Sequence, residues 1–137
     1  MTVTMGFIGF GKSANRYHLP YITIRDNMCV KRIFDLNINE EMAAPYREKG
    51  VAFTTEIQDI LKDPEIELVT ICTPAHTHYE LAKQVIEAGK SVIVEKPFCD
   101  TLEHAKELFA LGKKKGVLVM PYQNRRFDGD YLAVKQV

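Results

Sequence analysis

Two phosphate-binding patterns overlap in the stretch GFIGFGKSANRYHLP, Gly6 to Pro20. Counted from Gly6 it reads G-x-x-x-x-G-K-S, a loop that wraps ATP or GTP phosphates and offers a lysine and a magnesium-binding hydroxyl. Counted from Gly9 it reads G-x-G-x-x-A, a turn that sets backbone N–H groups at a helix start against the diphosphate of a dinucleotide. The first count puts Phe7 and Ile8 in the loop, where large apolar side chains have no phosphate to face. The apolar run Leu68 to Cys72 also ends in Thr73 and Pro74 rather than in a magnesium-orienting aspartate, although the run from Ser91 does end in Glu95. The second count leaves no residue idle, since Gly9 makes the tight turn, Gly11 lets the backbone approach the diphosphate, and Ala14 packs helix on strand. Lys12 and Ser13 then stand at the helix start, where the lysine either approaches the diphosphate or remains exposed.

The same fingerprint requires a carboxylate at the end of the second strand, and Asp35 closes VKRIFD about two dozen residues on. There it is placed to accept hydrogen bonds from the adenosine ribose, with a helix-cap or turn role as the alternative. A carboxylate repels a 2′-phosphate, and Leu36 and Asn37 bring no positive charge, so NAD is expected over NADP.

The elements that must position these residues are legible as short β-branched runs alternating with amphipathic segments, the pattern of a parallel sheet covered on both faces. The strands expected are Val3–Ile8, Val30–Phe34, a weak Val51–Phe53, Leu68–Cys72, Ser91–Val94 and Val117–Met120. Six is the count of a full doubly wound Rossmann sheet of the α/β class. Thr77-x-x-Glu80 and Asp100-x-x-Glu103 read as capping boxes, with Gly89 and Gly116 closing the helices that follow. Thr55-x-x-Gln58 opens a shorter helix that Pro64 closes, and Pro45 is expected to kink or restart a helix between Asn39 and Gly50. Lys113, Lys114 and Lys115 suit the negative end of a helix and read as a solvated face.

Composition narrows the partners. The chain has 137 residues, 46% apolar, with 18 basic and 18 acidic side chains, so nothing in its charge argues for nucleic acid or an anionic membrane. The first residues lack a basic leader region and a cleavage site, and no run is long enough to span a bilayer, so a cytoplasmic protein is expected. Cys29, Cys72 and Cys99 have neither paired spacing nor metal-ligand spacing, and read as reduced, mostly buried thiols with no metal.

Three further phrases follow in order: TICTPAHTHYELAKQVIEAGKSVIVEKPF, TLEHAKELFALGKKKGV and PYQNRRFD. With the opening stretch they resemble the glucose–fructose oxidoreductase, inositol dehydrogenase and MocA family of nicotinamide-dependent oxidoreductases, over nearly the whole chain. The E-K-P phrase is the most specific part of the match. The resemblance implies that Thr73, Pro74 and His78, its T-P-x-x-x-H, border the cofactor, as do Glu95, Lys96 and Pro97, its E-K-P. It implies further that Gln123, Asn124 and Arg126 lie where the chain crosses toward a second domain beside the cofactor. Lys96 is the implied catalytic residue, binding or polarising a substrate hydroxyl next to the nicotinamide.

Residue chemistry supports Lys96 as well. Pro97 biases it toward an extended backbone, and the carboxyl end of a parallel strand faces the ligand crevice. A cation there stabilises alkoxide character, and partial burial would lower its pKa toward proton exchange, with Glu95 orienting it or offsetting the burial. A surface ion pair at a strand end is the alternative. His18 and Pro20 read as packing or capping residues, His76 and His104 have no assigned role, and Arg125 and Arg126 read as a surface pair from residue type alone.

The organisation expected is a dinucleotide-binding domain over residues 1–121, with 122–137 opening the crossover into a substrate domain absent from this chain. The resemblance implies an oxidoreductase of sugars, polyols or related carbonyl compounds, inactive in this chain without that domain. The alternatives are a non-catalytic NAD-binding module or, less favoured, a P-loop ATP/GTP-binding protein. Homo-oligomerisation is left open.

Overall fold

The computed structural model describes residues 2–136, so Met1 and Val137, the ends of the terminal segments read above, lie outside it. The six apolar runs form strands β1 (Val3–Ile8), β2 (Met28–Phe34), β3 (Ala52–Thr54), β4 (Leu68–Ile71), β5 (Ser91–Val94) and β6 (Val119–Pro121). They make one parallel sheet in the order β3-β2-β1-β4-β5-β6. The chain winds outward from β1 to β3, then returns past β1 to continue from β4, so the order reverses between β1 and β4. This is the doubly wound Rossmann architecture, with its switch point at that reversal.

Successive residues of a strand face opposite sides of the sheet, and β1 uses both. Met5 and Phe7 join Leu19 and Ile33 in one buried cluster, whereas Ile8 joins Ile71, Val94 and Leu108 in the other. The helices that cover these faces are α1 (Leu19–Ile22), α2 (Glu40–Arg47), α3 (Gln58–Leu61), α4 (His78–Glu87) and α5 (Leu102–Lys115), with α6 (Gly129–Val134) following β6. Gly116, at φ 71°, ends α5 directly after its three lysines.

Helix starts differ from the sequence expectation in informative ways. The Thr77-x-x-Glu80 box does not form, because a 3-10 turn over Ala75–Thr77 precedes α4. The Thr77 hydroxyl donates to the Pro74 carbonyl at 2.7 Å and lies 2.7 Å from the Thr73 hydroxyl. The second cap is displaced by one residue: Thr101 accepts from the His104 N–H at 3.1 Å, and Asp100 pairs with the His104 ring. Before α3 it is Thr54, not Thr55, that bonds, accepting from the Glu56 N–H at 3.0 Å. Asn39 caps α2, which runs unbroken through Pro45. The proline deprives only the exposed Glu41 carbonyl of its helical donor, and water can replace it. Of the three cysteines only Cys72 is buried; Cys29 is exposed and Cys99 half-buried.

Candidate active site

Strand register decides what meets at the carboxyl edge of the sheet. Ile8 pairs with Phe34 on one side and Ile71 on the other, Ile71 pairs with Val94, and Val94 with Pro121. The next residues, Gly9, Asp35, Cys72, Glu95 and Tyr122, therefore form one row across the switch point. The ladder extends into this row: Gly9 N donates to Phe34 O, Cys72 N to Ile8 O and Tyr122 N to Val94 O, each at 2.8 Å.

Gly9 turns the chain with φ +99°, and a Cβ there would lie 2.9 Å from the Cys72 carbonyl carbon and oxygen. Only glycine fits both the backbone angle and the approach. Gly11 is the opposite case: a Cβ would meet nothing within 4 Å, and the residue borders open space on the carboxyl side of the sheet. Asp35 holds the loop between them. Its Oδ2 accepts from the Phe10 N–H at 2.7 Å, and its Oδ1 from the Asn37 N–H at 2.9 Å. A carboxylate has roughly four acceptor positions, so ribose hydroxyls can still be bound after these two are filled.

After Gly11 the backbone becomes helical, first as a wide π turn over Ala14–His18 and then as α1. Ala14 and His18 are both buried on its inner side. His18 Nε2 lies 2.8 Å from Glu95 Oε1, and Ser13 Oγ donates to the same oxygen at 2.5 Å. Lys96 N completes the set by donating to Glu95 Oε2 at 3.1 Å. Burial pushes the Glu95 carboxyl up, but the hydrogen bonds from Ser13, His18 and the Lys96 backbone outweigh it and hold the group below the usual carboxylate range. Burial lowers the pKa of His18, with the pairing to Glu95 opposing it only in part. A carboxylate can only accept, so His18 donates from Nε2 to Glu95 Oε1. His18 also lies against Tyr122, with ring centroids 4.2 Å apart, and the Tyr122 hydroxyl donates to Tyr17 O at 3.1 Å.

The E-K-P phrase therefore divides. Glu95 turns inward to the helix start and does not orient the Lys96 side chain. Lys96 is exposed rather than partly buried, and its ammonium has no hydrogen bond or ion pair among the described residues. It lines a cleft of about 730 Å³ together with Lys12, Ser13, Thr73, Gln123 and Asn124. Arg125 stands on this cleft where the sequence reading has Arg126, which is exposed and lies outside it. A neighbouring slot of about 660 Å³ is bordered by Gly9, Gly11, Asp35, Thr73 and Pro74. His78 is on neither surface. It is buried beneath them, with Nε2 2.9 Å from Thr73 O and Nδ1 2.8 Å from Pro97 O, tying the T-P loop to the E-K-P loop.

One group of metal-ligand side chains comes together among the described residues: His18, Cys72 and Glu95, with ligand atoms within 4.8 Å of one another. Burial, reinforced by the Glu95 charge, pushes the Cys72 thiol up to about 12. In this arrangement Glu95 takes the hydrogen bonds of Ser13 and His18.

The comparisons with known proteins bear on this geometry. The sequence model of the family described as "Oxidoreductase family, NAD-binding Rossmann fold", GFO_IDH_MocA, matches residues 3–123. The chain belongs to this family. It is 50% identical to the uncharacterised oxidoreductase YhhX of Escherichia coli, covering 99% of this chain and 39% of YhhX. It is 35% identical to IolW of Bacillus subtilis, a scyllo-inositol 2-dehydrogenase (NADP+), covering 99% of this chain and 37% of that protein. The crystal structure of an oxidoreductase from Bacillus cereus is 76% identical and superposes with a TM-score of 0.95, over 98% of this chain and 39% of that one. The chain thus spans about two-fifths of the length of the relatives it matches.

As the NAD-binding Rossmann domain of GFO_IDH_MocA oxidoreductases, the chain parses from Gly9 and not from Gly6. Phe7 and Ile8 are fully buried inside β1, so no phosphate-wrapping loop exists between Gly6 and Gly11. Sequence reasoning missed Cys72, Tyr122, Tyr17 and Arg16 as neighbours of the cleft. Cys72 and Tyr122 were reachable by aligning the strand ends, since each follows its strand directly. Tyr17 and Arg16 were not, because the π turn breaks the usual helical phase. No helix among the described residues is long and apolar enough to cross a membrane.

Proposed function

We propose that this chain binds a nicotinamide dinucleotide across the carboxyl edge of its sheet and forms the cofactor half of an oxidoreductase acting on CH–OH groups of a sugar or polyol. The observation that carries the reading is the Gly9–Gly11 loop at the β1/β4 switch point, pinned by Asp35 and bordering open space at Gly11. Backbone N–H groups of Gly11, Lys12, Ser13 and Ala14 hold the diphosphate, with the Lys12 charge beside them. Asp35 accepts from the ribose hydroxyls and favours NAD, while Thr73 and Pro74 flank the dinucleotide from β4. Glu95 and His78 fix the two loops from below, His78 through the carbonyls of Thr73 and of Pro97, which borders the cofactor.

A bound nicotinamide supplies a hydride acceptor or donor. Lys96 donates a hydrogen bond to the substrate oxygen and holds or releases the proton at its Nζ as that oxygen changes between hydroxyl and carbonyl. Gln123, Asn124 and Arg126 lie on the crossover, opened by residues 122–137, that leads from the cofactor domain, residues 1–121, toward a substrate domain. The polyol specificity of IolW supports a polyol-like substrate, and three unbridged cysteines suit a reducing, cytoplasmic setting.

Titration of NADH with the chain, followed by nicotinamide fluorescence, tests the reading. A saturable change at one equivalent is expected, and ATP with magnesium should give none. Absence of saturable NADH binding would remove the proposal.

A further inference from the structure

We infer that His18, Cys72 and Glu95 form a binding site for a zinc ion, or a divalent ion of similar softness, at the floor of the larger cleft. The inference stands apart from the dinucleotide reading, since it asks nothing of a bound cofactor. The three side chains offer one imidazole nitrogen, one sulfur and one carboxylate oxygen, and these atoms lie within 4.8 Å of one another. A tetrahedral zinc ion with bonds of about 2.0–2.3 Å spaces its ligand atoms roughly 3.3–3.8 Å apart. The 2.8 Å between His18 Nε2 and Glu95 Oε1 must therefore widen slightly, and no pair has to close by more than about an ångström. The His18 ring is already aimed, lying edge-on to Phe7 at 6.1 Å between centroids and against Tyr122 at 4.2 Å. Unlike the charged clusters on the surface, these ligands are only 5%, 8% and 7% exposed. Cys72 and Glu95 nevertheless line the cleft of about 730 Å³, which supplies an entry path and a fourth position for water.

Two of the three groups already hold the form that ligates. Burial keeps the His18 ring neutral, and hydrogen bonds keep Glu95 ionised. Cys72 is the exception, because burial and then the Glu95 charge hold its proton on. A coordinating thiol is deprotonated by the metal itself, so the S–H bond breaks as the zinc–sulfur bond forms and the proton leaves to solvent. The buried site then passes from a single negative charge on Glu95 to neutrality, with thiolate and carboxylate balancing the ion. As the ion takes Glu95 Oε1, the Ser13 hydroxyl that donated to it is left beside the Cys72 sulfur, with which it already interacts. Lys12 and Lys96 on the same cleft oppose any cation, so affinity must come from sulfur and imidazole, which select zinc over magnesium or calcium. Spacing along the chain hides the group, because its members stand at the ends of the π turn, β4 and β5 and meet only through the sheet register.

Titration of the reduced, metal-free chain with cobalt(II) tests the site, because cobalt accepts the tetrahedral geometry of zinc and is coloured. The expected result is a thiolate-to-cobalt charge-transfer band with visible ligand-field bands, saturating at one equivalent. Zinc should erase these bands, and an excess of magnesium or calcium should leave them untouched. The charge-transfer band should vanish in Cys72→Ser and persist when Cys29→Ser and Cys99→Ser are combined. His18→Gln should weaken cobalt binding more than about tenfold. Far-ultraviolet circular dichroism checks the fold of each variant, and the Cys29 and Cys99 double variant reads the site even where Cys72→Ser fails to fold. Absence of a charge-transfer band in the unaltered chain would overturn the site. So would a band that survives Cys72→Ser or disappears with Cys29 and Cys99, since it would belong to another thiol.

Discussion

On the side of the cleft proposed for adenosine, Asp35 commits one carboxylate oxygen to the Phe10 N–H of the glycine loop and the other to the Asn37 N–H, whereas at the other end Lys96 stands exposed with no partner for its ammonium among the described residues. The row between them follows the same gradient. Gly9 is locked by the Cys72 backbone, Glu95 by three hydrogen bonds, and Gln123 and Asn124 are exposed. Groups that bind the constant part of a cofactor gain from being preorganised, since ordering them on binding costs affinity. A group that must follow a changing substrate oxygen needs freedom until the rest of the pocket is present. Substitutions should therefore lose their effect on this domain's own stability and cofactor affinity in passing from the first end to the second.

The largest effect belongs to Gly9→Ala. The methyl group would enter within 3 Å of Cys72 backbone atoms at a φ that L side chains rarely adopt, and the loop cannot relax while Asp35 holds Phe10. We expect a loss of about 3 kcal/mol of stability in urea unfolding, and no measurable NADH binding. A variant that unfolds like the parent would show that the loop is softer than its contacts suggest.

Glu95→Ala comes next, at about 2 kcal/mol, because it leaves the buried His18 ring and the half-buried Ser13 hydroxyl without their acceptor. The same network predicts the response to acid. His18 is held below its ordinary value of 6.5, so its contribution is complete above that pH and is lost as the pH falls through the lowered value. Glu95, held below 4.5, adds a second loss at lower pH with the same sign. Surface carboxylates such as Asp63 and Glu107 are also lowered, so the decisive quantity is a difference. His18→Gln should flatten the decline that begins near pH 6.5 and leave the later one. Parallel melting curves for the two proteins across that range would detach His18 from the acid response.

Asp35→Ser should cost about 1 kcal/mol of stability through the lost bonds to Phe10 and Asn37, and weaken NADH about tenfold because the ribose acceptor goes with them. NADPH should lose less, since the carboxylate's repulsion of the 2′-phosphate goes as well. An unchanged ratio of the two dissociation constants would take Asp35 away from the ribose.

How far the sequence could be read depended on whether a signal was local. The strands emerged because a buried parallel strand is written in consecutive β-branched residues, and the Gly9–Gly11 turn because a backbone angle demands a residue type. Cap positions slipped at Thr77, Asp100 and Thr55 because adjacent hydroxyl and carboxylate residues compete for the same N–H groups, and packing decides among them by a fraction of a turn. The partners of Glu95 were invisible, since Ser13 and His18 reach it only through register and a π turn. The expectation of a buried lysine went to the wrong residue for a related reason. The structure buries Lys90, whose Nζ donates to Asp63 O at 2.6 Å and Ile66 O at 2.9 Å, so that burial lowers its pKa. Lys90 precedes β5 and Lys96 follows it, and nothing in the residue pattern tells which end is covered.

Lys96→Met should have the smallest effect on this chain and therefore tests the comparison most sharply. An exposed side chain without partners among the described residues contributes little to folding, so stability should stay within about 0.5 kcal/mol of the parent. NADH affinity should hold within about twofold, because the reading gives the ammonium to the substrate oxygen and not to the dinucleotide. In a protein that also carries a substrate domain, the same substitution should cut turnover on the order of 10²-fold, the scale of a lost proton-transfer group. The combination is what matters: a silent change in the isolated domain and a large one in turnover place the function of Lys96 on the substrate side. If Lys96→Met instead weakened NADH binding as much as Asp35→Ser, the lysine would belong to the cofactor site, and the contrast between the two ends of the cleft would collapse.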